Sequence, residues 1–201
     1  MLRQILKVLL VTLLPTTAMA KVTYDSETST LRVTGPTNIA QVVTASNYMN
    51  KYQVKYIEMW GPGGGTIAGL HLGNRIAKED DVTVVIPKGK RCISACGFAA
   101  MASSHIRIDG KILLHRPYTP AVSVMETLED AMAYMGEGYI MVDRYLTRHG
   151  YSSNVMDAIM EYTSTCKLMS YEDIIVKDRS DLKMWSLDDS NCEIINSRVR
   201  R

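Results

Sequence analysis

The sequence predicts one α/β domain in which strands and helices alternate along the chain. Its 201 residues fit a single domain of ordinary size. With 46% hydrophobic and 22% charged residues, the composition is that of a globular protein and excludes a disordered chain, a collagen-like repeat and a coiled coil. Short β-type runs with helical stretches between them favour a sheet whose two faces are buried by crossover helices.

The N-terminal residues 1–20 have the three parts of a secretory signal. The positive start, the apolar run and the small-residue cleavage site are Arg3 with Lys7, residues 5–14, and residues 18–20. The apolar run has about half of the roughly 20 residues that a membrane span needs. We therefore expect cleavage near Ala20, a single mature domain over residues 21–201, and a protein that is periplasmic or secreted.

Removal of this segment neutralises the chain. The full sequence has 23 Lys and Arg against 21 Asp and Glu, a net charge of +2. Arg3 and Lys7 leave with the signal, so 21 basic residues face 21 acidic ones and the net charge is zero. Nothing in this balance favours nucleic acid or an acidic membrane surface as a partner.

Five short runs have the composition and length of β-strands. They are residues 31–34, 55–60, 82–86, 105–108 and 112–114. Between the second and third runs, small and apolar residues recur at helical spacing. They are Ala68, Gly69, Leu72, Gly73 and Ile76. This narrow face of small residues would let a helix lie close on a sheet.

A long amphipathic helix is indicated later in the chain, where apolar side chains step by four and three. They are Leu128, Met132, Met135, Tyr139, Val142 and Leu146. Gly136 and Gly138 weaken its middle and are candidate break points. The methionines are interpreted as core or subunit contacts. Residues 170–173 read Ser-Tyr-Glu-Asp, a capping box that would open a last short helix.

Four cysteines, an even number, fit an exported protein with two disulfides. They are Cys92, Cys96, Cys166 and Cys192, and their three possible pairings are all open. Cys92 and Cys96 have C-x3-C spacing, but the sequence has no second close Cys or His pair to complete a zinc site. We expect structural bridges and no metal.

A glycine cluster, Trp60-Gly-Pro-Gly-Gly-Gly65, lies between a predicted strand and the helix with the small face. Glycine there lets backbone N–H groups turn toward a bound oxygen. The rival interpretations are a simple tight turn and a phosphate loop. A phosphate loop would end in Gly-Lys-Ser or Gly-Lys-Thr, whereas here Thr66 leads into Ile67.

Ser94 and His115 are candidates for a nucleophile and its base. Cys92-Ile-Ser-Ala-Cys96 is followed by small residues, which predicts a loop leading into a buried helix. Ser94 at the helix start either caps the helix or acts as a nucleophile, since the next N–H groups point at a developing oxyanion. His115 ends a predicted strand 21 residues later and is either structural or the general base.

These motifs resemble the Clp protease proteolytic subunit in order and spacing. Gly61-Pro-Gly-Gly-x-x-x-Ala68-Gly69 resembles the Ser-Pro-Gly-Gly-x-x-x-Ala-Gly segment of that family, and residues 31–36 resemble its first strand and turn. Cys-Ile-Ser-Ala-Cys is similar to the nucleophile motif of exported Clp-like relatives. Residues 112–117 resemble the strand that presents the catalytic histidine. The resemblance covers roughly residues 30–185 and implies the Clp/crotonase fold, a spiral of repeated β-β-α units.

The resemblance also implies roles. Ser94 would be the nucleophile and His115 the general base, with the backbone N–H groups of Gly64 and Ala95 as the oxyanion hole. The implied activity is that of a serine-type peptidase on peptide or unfolded protein, with no cofactor. We expect it to be ATP-independent, because ATP is not supplied outside the cytoplasm. The trimer-based rings common in this fold imply a homo-oligomer.

The third member of the triad is where the sequence departs from the family. An ungapped match places Cys166 where the family has an aspartate, and the candidates to orient the imidazole are Thr163, Ser164, Thr165, Asp143 and Asp157. Exported signal-peptide peptidases of related fold use a Ser-Lys dyad, which raises Lys111. Four residues along a strand span about 13 Å, so Lys111 and His115 cannot both approach Ser94, and the motif favours His115.

Two further functions stand beside the peptidase. Replacing the triad acid by an amide lowers turnover by about 10⁴ in one well-studied enzyme, so the missing carboxylate favours a catalytically inactive Clp-like assembly or binding protein. An acyl-CoA hydratase or isomerase of the same superfamily would need paired carboxylates and a cytoplasmic cofactor, and the sequence indicates neither.

Overall fold

Strands and helices alternate along most of the chain, which confirms the α/β class. The computed structural model describes residues 19–117, 128–162, 167–172 and 184–186. The strands are β1 (Lys21–Asp25), β2 (Thr30–Thr34), β3 (Tyr56–Trp60), β4 (Thr83–Ile86), β5 (Arg91–Ile93), β6 (His105–Ile108), β7 (Lys111–Leu114), β8 (Lys167–Ser170) and β9 (Met184–Ser186). The helices are α1 (Ile39–Lys51), α2 (Thr66–Ile76), α3 (Ala95–Met101), α4 (Leu128–Arg148) and α5 (Ser153–Tyr162).

The first sheet has the order β1-β2-β3-β4-β6. Strand β1 is antiparallel to β2, and the other pairs are parallel. Leu31, Ile57, Val84 and Ile106 lie side by side in register across four strands, and the first three are fully buried. This row of β-branched and leucine side chains forms the centre of the core, as the apolar runs predict.

The second sheet has the order β5-β7-β8-β9, with β5 and β7 parallel and the other pairs antiparallel. Gly61 links the two sheets, because it directly follows β3 and forms a bridge with Cys92 of β5. The Gly61 N–H donates to the Arg91 carbonyl at 2.9 Å, and the Ile93 N–H donates to the Gly61 carbonyl at 3.0 Å. The glycine cluster therefore begins where the sheets meet.

The small-residue face of α2 packs on a helix and not, as expected, on a sheet. A methyl group on Gly69 would overlap the carbonyl oxygen of Ala95 in α3. One turn later, a methyl group on Gly73 would overlap the Tyr145 hydroxyl of α4 and touch Ala102. The small residues thus allow a close approach between α2 and α3, which brings the start of α2 toward the start of α3.

Helix α4 is continuous from Leu128 to Arg148, so neither Gly136 nor Gly138 breaks it. Val142 and Leu146 on its apolar stripe are buried, as predicted. In the part of the chain that the structure describes, no helix is long and apolar enough to cross a membrane.

Three further features bear on the predictions. Residues 92 and 93, expected to belong to a loop, form part of β5, and β1 was not predicted. Ser170 ends β8, and residues 171–172 are helical, while Asp173 of the proposed capping box lies outside the described residues. Cys92 is paired with Cys96, which selects one of the open pairings for these two cysteines, whereas Cys166 and Cys192 lie outside the described residues.

Candidate active site

Ser94 occupies the sharp turn between β5 and α3. Its backbone angles are φ +55° and ψ −121°, a conformation that non-glycine residues rarely adopt. Its N–H donates to the Leu113 carbonyl at 2.8 Å, and its carbonyl accepts the Phe98 N–H at 2.9 Å. Although Ser94 is the N-cap residue of α3, its side chain makes no capping hydrogen bond. Helix capping therefore does not account for this buried serine.

The glycine loop lies against Ser94. A methyl group on Gly63 would lie 2.6 Å from the Ile93 carbonyl oxygen, 2.8 Å from Ser94 Cβ and 3.3 Å from the Ala95 nitrogen. Only a residue without a side chain fits here, and the φ of +86° at Gly63 also favours glycine. Gly63 was not among the predicted site residues, since the sequence does not distinguish it from its glycine neighbours.

Thr37 fixes the other side of the same loop. Its N–H donates to the Gly63 carbonyl at 2.7 Å, and its carbonyl accepts the Gly65 N–H at 2.9 Å. These two bonds bracket Gly64, whose φ is +151° and whose Cα lies close to the Thr37 backbone. The loop is thus held between the turn before α1 and the turn before α3.

Several backbone N–H groups at this place have no acceptor within the described residues. Those of Gly64 and Ala95, the two predicted oxyanion donors, are among them, as are those of Gly63 and Cys96. The Ala95 N–H is open because the first N–H groups of a helix have no intrahelical acceptor. The Gly64 N–H has no acceptor because the hydrogen bonds to Thr37 are made by the Gly63 carbonyl and the Gly65 N–H instead.

His115 directly follows β7, next to the strand that leads to Ser94. Because Ile93 pairs with Leu113 in parallel β5 and β7, Ser94 and His115 leave the carboxyl ends of adjacent strands. A strand spacing of about 4.8 Å and a rise of about 3.3 Å place their Cα atoms roughly 6 Å apart. The hydrogen bonds among the described residues do not include one between the Ser94 hydroxyl and the imidazole.

The surroundings of His115 favour a neutral imidazole. The residue is 6% exposed, and burial lowers the pKa of its ring, an effect that the Arg116 carbonyl partly offsets. The Nδ1 atom lies 2.8 Å from that carbonyl oxygen. A carbonyl oxygen can only accept, so this contact assigns the proton of the neutral ring to Nδ1 and leaves Nε2 as a proton acceptor.

The candidates for a third member lie in different places. Asp157 of α5 is exposed and accepts a hydrogen bond from the Tyr139 hydroxyl at 3.0 Å, and Asp143 is half-buried on α4. Thr163, Ser164 and Thr165, with Cys166, lie outside the described residues. They directly precede β8, whose Met169 pairs with Leu114, the residue before His115.

Lys111 lies at the far end of β7 from His115. It pairs with Arg91, the first residue of β5, three positions before Ser94. In a strand that distance is about 10 Å. The register therefore gives the imidazole, and not the ammonium group, the place next to Ser94.

Within the described ranges, no group of three His, Cys, Asp or Glu side chains could hold a metal ion. The surroundings of Ser94 are instead backbone amides and a disulfide, and the strand register places the His115 imidazole on the neighbouring strand. Such a set can bind and polarise a carbonyl oxygen beside a hydroxyl group.

Comparison with known proteins shows a likeness to solved structures. No family model and no curated protein matches the chain. Among solved structures, it is similar to a ClpP1 mutant from Listeria monocytogenes, with 14% sequence identity, a TM-score of 0.46, and coverage of 84% of this chain and 89% of that chain. Any activity of this protein is therefore inferred from its own residues.

Proposed function

We propose that this protein is an exported, ATP-independent serine hydrolase of the peptidase type, with Ser94 as its nucleophile. The observation that carries the proposal is the turn at Ser94: a buried serine with positive φ, not used as a helix cap, packed against a glycine loop. A serine at a strained turn between a strand and a helix is the arrangement of the nucleophile elbow in α/β hydrolases. Such strain costs about 1–3 kcal/mol and is found mostly at functional sites.

The oxyanion that forms when Ser94 attacks a carbonyl would be bound by backbone donors. The N–H groups of Ala95 and Gly64 carry this role in the proposal, and their lack of acceptors among the described residues supports it. Each donor of this kind stabilises the transition state by about 3 kcal/mol. Because these donors belong to a helix start and a bridged glycine, they need little rearrangement during the reaction.

His115 would take the Ser94 hydroxyl proton on Nε2 and return it to the leaving amine. Its lowered pKa supports this role, because the ring is then unprotonated at neutral pH and can accept a proton on Nε2. The Arg116 carbonyl holds the Nδ1 proton, so tautomer selection does not require a carboxylate. A carbonyl stabilises an imidazolium less than a carboxylate does, and a further orienting group from Thr163, Ser164, Thr165, Asp143 or Asp157 belongs to the proposal.

The rest of the proposal concerns the whole protein. Its substrate would be peptide or unfolded protein, and it would be periplasmic or secreted after cleavage near Ala20. The domain would have the spiral of repeated β-β-α units and would assemble into a homo-oligomer. Exposed apolar side chains on three helices support an interface between subunits; they are Ile39, Val43, Ile67 and Ile140.

A fluorophosphonate probe tests the proposed nucleophile. The purified mature protein should be labelled at Ser94, as located by mass spectrometry of its peptides, and Ser94→Ala should abolish both labelling and peptide hydrolysis. Ser29→Ala is the matched control, because Ser29 has nearly the same φ, +53°, in a turn between β1 and β2. Labelling that persists in Ser94→Ala, or that is lost in Ser29→Ala, would overturn the assignment of Ser94 as the nucleophile.

A catalytically inactive assembly or binding protein is the second candidate. It is favoured by two observations on the described residues: none of their hydrogen bonds joins Ser94 to His115, and the contact that they provide to Nδ1 is a carbonyl oxygen. The same experiment separates the two functions. A folded, assembled wild-type protein that no probe labels would establish the inactive scaffold.

A further inference from the structure

The Cys92–Cys96 disulfide spans the turn that carries Ser94. Cys92 is the middle residue of β5, Cys96 is the second residue of α3, and Ser94 lies halfway between them. Both half-cystines are buried, with exposed fractions of 0% and 3%. A covalent bond therefore joins the strand before Ser94 to the helix after it.

The backbone at Ser94 needs such a restraint. A serine with φ +55° and ψ −121° relaxes to a commoner conformation unless its surroundings hold it. Hydrogen bonds fix the two flanks separately. On the strand side, the Ile93 N–H donates to Gly61 and the Ser94 N–H donates to Leu113, and on the helix side the Phe98 N–H donates to the Ser94 carbonyl. Each of these bonds can open on its own, whereas the disulfide keeps both flanks together at all times.

The disulfide also lies on the face where α3 packs against the second sheet. Cys92 pairs in register with Ile112, and a methyl group on Gly97 would lie 3.0 Å from the Ile112 side chain and 3.3 Å from the Cys92 carbonyl oxygen. The bond thus fixes the distance between β5 and the first turn of α3. That first turn carries the Ala95 N–H, so the same restraint sets its direction.

We propose that the Cys92–Cys96 disulfide positions the nucleophile: it holds the turn so that the Ser94 hydroxyl and the Ala95 N–H keep the geometry for attack on a carbonyl. This inference rests on the proposed function of Ser94. Cys92 and Cys96 are positioning residues, since they act through the backbone of Ser94. Because both sulfur atoms are buried, the bond is a permanent restraint suited to an oxidising compartment and not a switch for mild reductants.

The test compares the wild type with a Cys92→Ala/Cys96→Ala double variant. Hydrogen exchange should become faster by about tenfold or more at the amides of residues 93–98, while the first sheet keeps its protection. Fluorophosphonate labelling of Ser94 and kcat for a peptide should fall by about tenfold or more, with KM within about twofold. A change in KM alone would contradict positioning.

A matched control separates positioning from a general loss of stability. Ile57→Val removes a buried methyl group in β3, in the middle of the first sheet, and leaves the disulfide intact. It should lower the unfolding temperature without changing exchange at residues 93–98 or the labelling rate. If it slows labelling as much as the double variant does, the disulfide has only a structural role.

The remaining outcomes decide between the two proposals. Unchanged exchange at residues 93–98 in the double variant would overturn the positioning role, whatever the activity. Faster exchange with an unchanged labelling rate would overturn it as well. If the oxidised wild type is not labelled at all, the proposed hydrolase fails, and the exchange comparison still shows whether the disulfide holds the Ser94 turn.

Discussion

At the scale of single residues, Gly63 sets the strictest steric condition on the site. Any side chain there would meet the Ile93 carbonyl and Ser94 Cβ and would adopt a left-handed backbone. Gly63→Ala should therefore push the loop away from Ser94. A displacement of about 1 Å in a catalytic group can cost roughly 100-fold in rate, and we expect a loss of that order in peptide hydrolysis and in probe labelling.

Gly150→Ala is the matched control for this substitution. Gly150 has φ +85°, almost the same as Gly63, but a methyl group there would meet no atom within 4 Å. Both variants pay the left-handed backbone cost of about 1–2 kcal/mol, and only Gly63→Ala adds the contact with Ser94. Equal activities of the two variants would show that the glycine loop does not shape the site.

The residues of the site differ in how far the sequence reveals them. Ser94 stands out from the sequence because it lies between two cysteines at the start of a run of small residues, and His115 because it ends a predicted strand. Three features of these residues cannot be read from the sequence. They are the positive φ of Ser94, its contact with Gly63, and the bond from His115 to the Arg116 carbonyl. The first two features depend on pairing between segments about 20 to 30 residues apart in the chain, and the third depends on the orientation of the imidazole relative to the next residue. Composition and periodicity encode neither.

At the scale of elements, the short helix α3 depends on tyrosines from elsewhere for its C-terminal end. The last carbonyl groups of a helix have no partner inside it. The Tyr145 hydroxyl of α4 donates to the Phe98 carbonyl at 2.8 Å, and the Tyr151 hydroxyl donates to the Met101 carbonyl at 3.0 Å. Burial raises the pKa of both phenols, which keeps them protonated and able to donate.

Tyr145→Phe tests this arrangement. The variant leaves the buried Phe98 carbonyl without its donor, and we expect the free energy of unfolding, measured with urea, to fall by about 1–3 kcal/mol. Tyr56→Phe is the control, because Tyr56 is 41% exposed on β3, and its change should stay within about 0.5 kcal/mol. A loss no larger in Tyr145→Phe than in Tyr56→Phe would show that the bond adds nothing to stability.

The predicted elements match the structure where the local pattern is strong. The run at residues 105–108 coincides with β6, and the run at 82–86 differs from β4 by one residue. Strand β5 has only three residues, too few for any period to show, and it exists because Gly61 and β7 pair with it from both sides. Helix α1 buries only Gln41, Ala45 and Met49, so its apolar face is weak in the sequence.

At the scale of the whole molecule, the candidate site lies where two sheets and two helices meet. Gly61 follows β3 of the first sheet and pairs with Cys92 in β5 of the second. Helix α2 starts shortly after Gly61 in the chain, and α3 starts shortly after Cys92. Gly69 lets these two helices approach each other closely. The site thus depends on long-range packing of the entire fold, and substitutions in either sheet can change it.

The buried imidazole of His115 makes the stability of the fold depend on pH. Burial lowers the pKa of His115 below its ordinary value of 6.5, so between the two values the unfolded chain binds a proton that the folded protein does not. The free energy of unfolding must then rise with pH in that window and fall as the solution is acidified below about pH 6.5. The half-buried His149 acts in the same direction, because burial and the Arg148 charge lower its pKa.

His115→Gln should therefore flatten, but not abolish, the loss of stability between about pH 7 and pH 5, as measured by urea denaturation at closely spaced pH values. A glutamine has no proton to gain in this range, so the part of the slope that belongs to His115 disappears. His149→Gln should remove a smaller part, since that ring is less buried. His115 is also the proposed general base, and it must be unprotonated to act. The fall of kcat/KM on acidification should therefore also occur below pH 6.5. A wild-type stability that increases on acidification, or an identical slope in His115→Gln, would contradict a lowered pKa for His115 in the folded protein.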